Sequence, residues 1–414
     1  MEQQIAKFTY GDMDAHWPTA TIKEALRDAE IFVDGDWVET KDQDPEGDVR
    51  LIQLADIGDG SFIDKSSRFL NTPKAKKLRC TFLKRGDVLV ARMPDPLGRA
   101  CIFPGLPQPS VTVVDVCIMR PNPARLDPRF LMHAVNSPLV RTSIGRQATG
   151  STRQRISRGN LGKIEIHLPP LAEQRRIAAV LDKASELRAK RRVALELLDQ
   201  LPQAIFIEMF GDPITNPNRW PNTSVLAEVA ELVSGITVGR KLNGKSVREI
   251  PYLAVVNVQD KHLNLNTVKR IDATEDEIAR YQLRAGDLLL TEGGDPDKLG
   301  RGTLWNAELP EAIHQNHVFR VRLTSPSLTP LYLSWLIGST YGKAYFLRQA
   351  KQTTGIATIN MGQLKAFPLL VPPLVLQDQF VARVEAIHRA KIVQHSNLTE
   401  IETLFSSLQS NLLQ

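Results

Sequence analysis

The chain has 414 residues, 42% of them hydrophobic and 24% charged, long enough for two or three domains with real cores and far from the composition of a disordered protein. Its formal net charge is +6 and its isoelectric point about 9.1, which suits a nucleic-acid partner without requiring one. No charged-then-apolar signal peptide opens the chain, and the apolar run from Phe367 to Leu376 is broken by Pro368, Pro372 and Pro373, so a membrane partner is not expected. Cys80, Cys101 and Cys117 form no Cys-x-x-Cys pair and have no histidine at ligand spacing, which reads as buried thiols in a reducing cytoplasm.

In chain order, Ile22 to Ala29 reads as a short helix. Val49 to Ile57, Asp87 to Ala91 and Val111 to Met119 are rich in β-branched residues and read as strands, and Asp127 to Val140 carries the apolar stripe of a helix. Pro169-Pro170 ends this module, and a long helix follows. Its 3-4 spacing runs through Ile177, Val180, Ala184, Leu187, Arg191, Ala194, Leu198, Leu201 and Ile205, a heptad-like seam with one arginine in it. Pro202 is expected to kink its last turns, and Gly211-Asp212-Pro213 to end it. Strands then recur at Ile250 to Val258, Asp287 to Thr291 and His317 to Leu323, with a helix at Leu331 to Leu347. After Pro372-Pro373 a second long helix carries Phe380, Val384, Ile387, Leu398, Ile401, Phe405, Leu408 and Leu412, with Lys391 and Gln394 interrupting.

The second half restates the first. Tyr10-Gly11-Asp12 returns as Phe210-Gly211-Asp212 and Trp17-Pro18 as Trp220-Pro221. Arg85-Gly86-Asp87-Val88-Leu89 returns as Arg284-Ala285-Gly286-Asp287-Leu288-Leu289. Asp95 to Arg99 returns as Asp295 to Arg301, Thr149-Gly150 as Thr354-Gly355, and Pro169-Pro170-Leu171 as Pro372-Pro373-Leu374. The matches keep their order, and their offsets stay between about 200 (Gly11 to Gly211) and 205 (Gly150 to Gly355). Retained residues are mostly glycines, prolines and core positions, while the surface between them diverges, the pattern of a duplicated reader rather than a duplicated enzyme.

The expected architecture is mixed α/β: two tandem recognition domains separated by two long antiparallel coiled-coil helices, with pseudo-twofold symmetry. The boundaries are residues 1–170 for the first domain, 171–212 for the central helix, 213–373 for the second domain and 374–414 for the distal helix. At ~1.5 Å per residue each helix would be on the order of 50–60 Å long. Neither is stable in water with its seam exposed, so the two are expected to pair. Ile177, Val180, Leu187, Leu198, Val384, Ile387, Leu398, Ile401 and Phe405 are the pairing candidates.

No catalytic constellation appears: no Walker loop, no Asn-Pro-Pro-aromatic motif, no Gly-x-Gly-x-x-Gly and no nucleophile elbow. His314 and His317 lie three apart, but core or surface roles are expected for them rather than metal binding. Charge is clustered instead. Lys65 to Arg85 holds eight basic residues and no acid, and Arg141 to Arg158 holds five arginines and no acid. Lys343 to Lys365 and the loop Arg240 to Arg248 continue this in the second copy. Lys and Arg neutralise phosphates, and Arg, Gln, Asn and Thr read base edges. The DNA-facing candidates are Lys74, Lys76, Lys77, Arg79, Arg92, Arg99, Arg146, Arg153, Arg155 and Arg158 in the first copy. In the second they are Arg240, Lys241, Lys245, Lys298, Arg301, Lys351 and Gln352.

The helix entry Leu168-Pro169-Pro170-Leu171-Ala172-Glu173-Gln174-Arg175-Arg176-Ile177-Ala178, with Leu181-Asp182 and the ending Met209-Phe210-Gly211-Asp212-Pro213, resembles the central region of the specificity subunit of type I restriction-modification systems. Val371 to Phe380 resembles that family's distal region, with Val375-Leu376-Gln377-Asp378-Gln379 departing from the first copy's string. The resemblance covers the whole chain. It implies a non-catalytic bacterial-defence subunit whose two target recognition domains bind the halves of a split, asymmetric double-stranded DNA sequence. It implies that the helices set the gap and dock two modification (methyltransferase) subunits. It leaves open whether two restriction (ATP-driven nuclease) subunits join. The chain itself would hold no cofactor; S-adenosylmethionine, ATP and magnesium would belong to the partners. A stand-alone DNA-binding or architectural protein is the alternative; a single-chain methyltransferase would need motifs that are missing.

Overall fold

The computed structural model describes residues 17–242, 244–294, 299–353 and 356–413. Tyr10-Gly11-Asp12, Asp295 to Lys298 and Thr354-Gly355, named above, lie outside the described residues. Two compact units emerge: residues 1–195 with 394–414, and residues 196–393.

Within unit one, a four-stranded antiparallel sheet has the order Ile31–Asp34, Val116–Arg120, Val88–Ala91, Ala100–Ile102. A smaller sheet has Val49–Ile52 at its centre, antiparallel to Phe69–Leu70 and parallel to Ser110–Thr112. Unit two repeats both. Its four strands are Ala230–Ser234, Val318–Leu323, Leu288–Thr291 and Gly302–Leu304, and Arg248–Leu253 lies between Lys269–Ala273 and Ile313–His314 with the same parallel and antiparallel senses. The duplication therefore reaches topology and register, not only motif order.

Three expectations are corrected in detail. Val111 to Met119 is two strands, Ser110–Thr112 and Val116–Arg120, because the chain passes there from one sheet to the other. Val49 to Ile57 and Ile250 to Val258 are strands only to Ile52 and Leu253, followed by 3₁₀ turns. The helices expected at Asp127–Val140 and Leu331–Leu347 are each two: Pro128–Asn136 with Pro138–Gln147, and Pro330–Gly338 with Thr340–Gln349. Ser137 and Ser339 are extended and cap the next helix through their hydroxyls, which accept from the Val140 and Gly342 amides.

The first long helix is Leu171–Phe210, 40 residues, and runs through Pro202 without ending there. The second is Leu374–Leu412, 39 residues. They pair antiparallel in both units. In unit one, Phe405, Leu408 and Leu413 join Ile177, Leu181 and Ala184 in one core with the sheet and the Pro128–Asn136 helix. The Arg188 guanidinium lies 4.3 Å from the Phe405 ring centre, Arg191 donates to Gln394, and Arg192 pairs with Glu402 at 2.6 Å. In unit two, Phe206 and Phe210 pack on Phe380 with ring centres 5.6 and 5.4 Å apart, and Lys391 pairs with Asp199.

On the second helix Phe380, Ile387, Phe405 and Leu408 are buried, and Val384, Leu398 and Ile401 half-buried. On the first helix the inward line differs. Ile177 and Ala184 are buried, and Gln174, Ala178, Leu181, Leu195, Phe206 and Phe210 are the other buried positions; Val180, Leu187 and Leu198 are half-buried and Leu201 is 41% exposed. One residue is about 100° around a helix, so this offset turns the expected edge into the seam. Leu195→Asp should therefore cost roughly 2–5 kcal/mol in urea unfolding, and Leu201→Asp less than about 0.5 kcal/mol. Equal losses would contradict this seam.

All three cysteines are buried, and burial pushes the Cys80 thiol up to about 11 and Cys101 to about 12. His314 is a core residue: fully buried, its Nδ1 lies 2.7 Å from the Val318 carbonyl, and burial pushes its pKa down to about 4. The folded chain thus resists a proton that the unfolded chain takes below about 6.5. Stability is full above that value and falls as pH drops towards 4, by about 3 kcal/mol for this group alone. Urea titrations across pH 4–7 of the wild type and of His314→Asn should show the acid-side slope reduced in the variant; identical slopes would refute the assignment.

Candidate nucleic-acid interface

In unit one the run Arg141 to Arg158 folds into a helix end, a tight hairpin and a short helix start. The Thr149 amide donates to the Arg155 carbonyl at 2.9 Å, and the Arg155 amide returns the bond at 2.8 Å. Gly150 has φ +100°, and a Cβ there would lie 2.5 Å from the Arg153 carbonyl oxygen, so the turn needs glycine. Ser151, Thr152, Arg153 and Gln154 at the tip are all exposed. The base is rigid: Ile156 is fully buried, its amide donates to the Arg92 carbonyl at 3.1 Å, and Ser157 caps the helix Arg158–Gly162. A polar tip on a fixed base is what reading an external surface requires. Arg146 is exposed at the end of the Pro138–Gln147 helix, and Arg158 is half-buried at the start of the next. Arg155 is 41% exposed and pairs with Asp115 at 3.0 Å.

The second basic group of unit one lies around the helix Thr72–Lys77, on a different core cluster. Asn71 caps it, and its last turn presents Lys76 and Lys77 to solvent, with exposed Arg79 just beyond at φ +57°. Lys74 is held by Asp42 at 3.2 Å. Lys84, at the end of that sequence run, belongs elsewhere: it pairs with Glu30.

Two candidates are corrected by burial. Arg92 is 4% and Arg99 7% exposed. Arg92 donates to the Val114 carbonyl at 2.6 Å and lies 3.3 Å from Asp34; Arg99 donates to the Ile57, Leu54, Met93 and Pro96 carbonyls. Burial pushes both guanidinia down from their ordinary value, the penalty those bonds offset. Arg92 also reaches the Ile156 carbonyl at 3.5 Å, at the root of the arginine-bearing hairpin, whereas Arg99 ties the 54–57 turn to the 93–96 turn. Sequence could not separate them, because a basic residue near a glycine turn looks alike inside and outside.

Unit two has the corresponding hairpin, Lys351–Thr353 against Ile356–Thr358, with Gly293–Gly294 adding a third strand. Lys351 pairs with Thr358 across it as Thr149 does with Arg155, so the structural match is Thr149 with Lys351 rather than with Thr354. The side chains of Lys351 and Gln352, and all of Lys298, lie outside the described residues. Lys241 and Lys245 are exposed. Arg240 is committed to Glu277 at 2.6 Å, and this hydrogen bond holds the Glu277 carboxylate down at about 2. Arg301, half-buried, donates to Gln259 at 3.2 Å. Exposed Gln154 and Lys163 were missed in the sequence; only their position beside the arginine run marks them.

Among the described residues no group of histidine, cysteine or carboxylate side chains could hold a metal ion, and no helix is long and apolar enough to cross a membrane.

Residues 29–197 match the family model for the type I restriction modification DNA specificity domain. Curated relatives include the type I restriction enzyme StySPI specificity subunit of Salmonella potsdam, 24% identical over 70% of this chain and 64% of that one. The EcoKI specificity subunit of Escherichia coli K12 is 27% identical over 62% of this chain and 58% of its own. The matches thus span about three fifths of those relatives' length. Among solved structures, a chain from a type I R-M system studied for complex assembly and conformational transition superposes with a TM-score of 0.61 at 18% identity, covering 97% of this chain and 98% of that one. The likeness in fold extends beyond the family-model match to both units.

Proposed function

We propose, from a chain that belongs to the specificity subunits of type I restriction-modification systems, that each α/β unit binds one half of a split double-stranded DNA target. The observation that carries this is the same hairpin at the same place in two copies of one fold, rooted beside the same strand, with exposed basic residues in the chain at or just before it: Arg146 and Arg153 in unit one, Lys343 and Arg348 in unit two. Arg153, Arg146, Lys76, Lys77 and Arg79 in unit one, and Lys241 and Lys245 in unit two, are the side chains open to phosphate and base contact. The paired helices set the gap between the half-sites and give modification subunits their docking surface. This chain does no bond chemistry: adenine methylation with S-adenosylmethionine, and any ATP- and magnesium-dependent cleavage, belong to its partners.

The test is co-expression with a cognate type I modification subunit, followed by sequencing of methylated adenines in the host genome. A motif of two half-sites with a constant gap is the expected result. DNA binding by the chain alone with no new methylation would overturn it in favour of a stand-alone DNA-binding protein.

A further inference from the structure

The two units share a backbone at the hairpin root and differ in its chemistry. In unit one the Arg92 amide donates to the Asp115 carbonyl at 2.8 Å, and the Ile156 amide to the Arg92 carbonyl at 3.1 Å. In unit two the Glu292 amide donates to the His317 carbonyl at 3.0 Å, and the Ile359 amide to the Glu292 carbonyl at 2.9 Å. Glu292 therefore stands where Arg92 stands, and His317 where Asp115 stands. Strand pairing matches Ser234 with Asp34 in the same way.

Unit one uses these positions for bracing: Arg92 is buried on the Val114 carbonyl and beside Asp34, and Asp115 holds Arg155. Unit two opens them. Ser234 donates to the Asn316 carbonyl at 2.7 Å and leaves the acidic group free of that task. Glu292 is 33% and His317 54% exposed, and Asn316 is half-buried beside them. Asn316 Nδ2 lies 3.3 Å from His317 Nε2, and His317 Nδ1 bonds the Glu292 carboxylate. With the amide donating to Nε2, and Nδ1–H donating onward, the chain ends on an oriented carboxylate at the surface. The backbone beside this group is fixed by the hairpin: Gly293 pairs with Thr358, and a Cβ on Gly293 would lie 2.6 Å from Thr358 Cγ2.

We infer that Glu292, oriented by His317 and Asn316, is a specificity-determining residue of unit two and reads the exocyclic amino group of a cytosine or adenine in its half-site. The inference rests on the reading of each unit as a half-site binder. An ionised carboxylate only accepts hydrogen bonds, and the major groove offers it donors only at cytosine N4 and adenine N6. Beside phosphates a carboxylate is repelled, so on a DNA-facing surface it serves recognition rather than general affinity. Unit one, with Arg153 at its hairpin tip, favours guanine instead, which makes the two half-sites chemically unlike.

The experiment uses the full chain co-expressed with its modification subunit and reads the methylated motif for Glu292→Gln, Glu292→Ala and His317→Phe, with Arg153→Ala marking which half-site unit one reads. Discrimination at one base pair of the unit-two half-site should fall about tenfold or more in both Glu292 variants and less in His317→Phe, with the other half-site and the gap unchanged. Every position unchanged in both Glu292 variants, or both half-sites relaxed alike, would overturn the inference while leaving the split-motif reading intact. A wild type that produces no split motif would instead remove the reading beneath it.

Discussion

Asp287→Ala should destabilise unit two by about 3–5 kcal/mol, more than any surface change in the chain. The Asp287 side chain is 1% exposed and accepts from Arg322 Nε and Nη2, both at 2.7 Å, and from the Arg284 amide at 2.7 Å. That carboxylate holds the Arg322 guanidinium above its ordinary value, while burial pushes neighbouring Arg320, 2% exposed, below its own. Removing the acid leaves two guanidinia in the interior with Glu231, 3.0 Å from Arg320, as the remaining carboxylate there. Unit one carries the same device: Asp87 accepts from Arg120 at 2.6 and 2.8 Å and from the Lys84 amide at 2.8 Å. There Arg120 also lies 3.6 Å from Glu30, so Asp87→Ala should cost less. Urea unfolding of both variants checks the order. A loss under about 1 kcal/mol for Asp287→Ala, or the reverse ranking, would show that the pair is not what ties this strand to its turn.

Gln174→Ala should cost about 3 kcal/mol and lower the melting temperature by roughly 6–12 °C. Gln174 is 1% exposed; it accepts from the Asp127 amide at 2.9 Å and donates to the Pro169 carbonyl at 2.8 Å and the Arg125 carbonyl at 3.2 Å. One side chain thus fastens the start of the long helix to the loop before the Pro128–Asn136 helix. Gln377, fully buried, does the same in unit two: it accepts from the Thr329 amide at 2.8 Å and donates to the Pro372 and Ser327 carbonyls at 2.9 and 3.0 Å. Truncation leaves three backbone groups without this partner at each place, those of Asp127, Pro169 and Pro372 being buried and those of Arg125, Ser327 and Thr329 half-buried. Gln174→Glu is the sharper probe, because a carboxylate cannot donate to either carbonyl; it should be at least as damaging as alanine. If glutamate were tolerated, the amide would not be acting as the clamp.

These two devices show what was legible and what was not. Asp87 and Asp287 sit in a motif plainly repeated in the sequence, yet nothing local announces that Arg120 and Arg322, over thirty residues on, complete it. Gln174 and Gln377 both stand four residues after the second proline of their pairs. The second string therefore keeps its essential residue, although it looks degraded beside the first. The fold class was readable because duplication doubles every turn and core signal. On the second helix the apolar spacing is readable towards each end, from Phe380 to Ile387 and from Leu398 to Leu412, while Lys391 and Gln394 interrupt it and Ile392 and Val393 are 57% and 56% exposed. On the first helix Val193, Leu197 and Leu201 are 54%, 62% and 41% exposed while Leu195 is buried, so apolar residues point several ways and periodicity alone cannot choose among them. The basic candidates were found as runs, but a run mixes arginines that face water with arginines, such as Arg92 and Arg99, that hold loops from within.

Unit one is assembled from residues up to 195 and again from 394 onward. Its apolar interior is closed by Phe405, Leu408 and Leu413. During synthesis about two hundred residues separate the two parts, roughly 10–40 s at ordinary elongation rates. For that interval Leu181 and Ala184 wait without their covering strip, and the portion made first is the portion finished last.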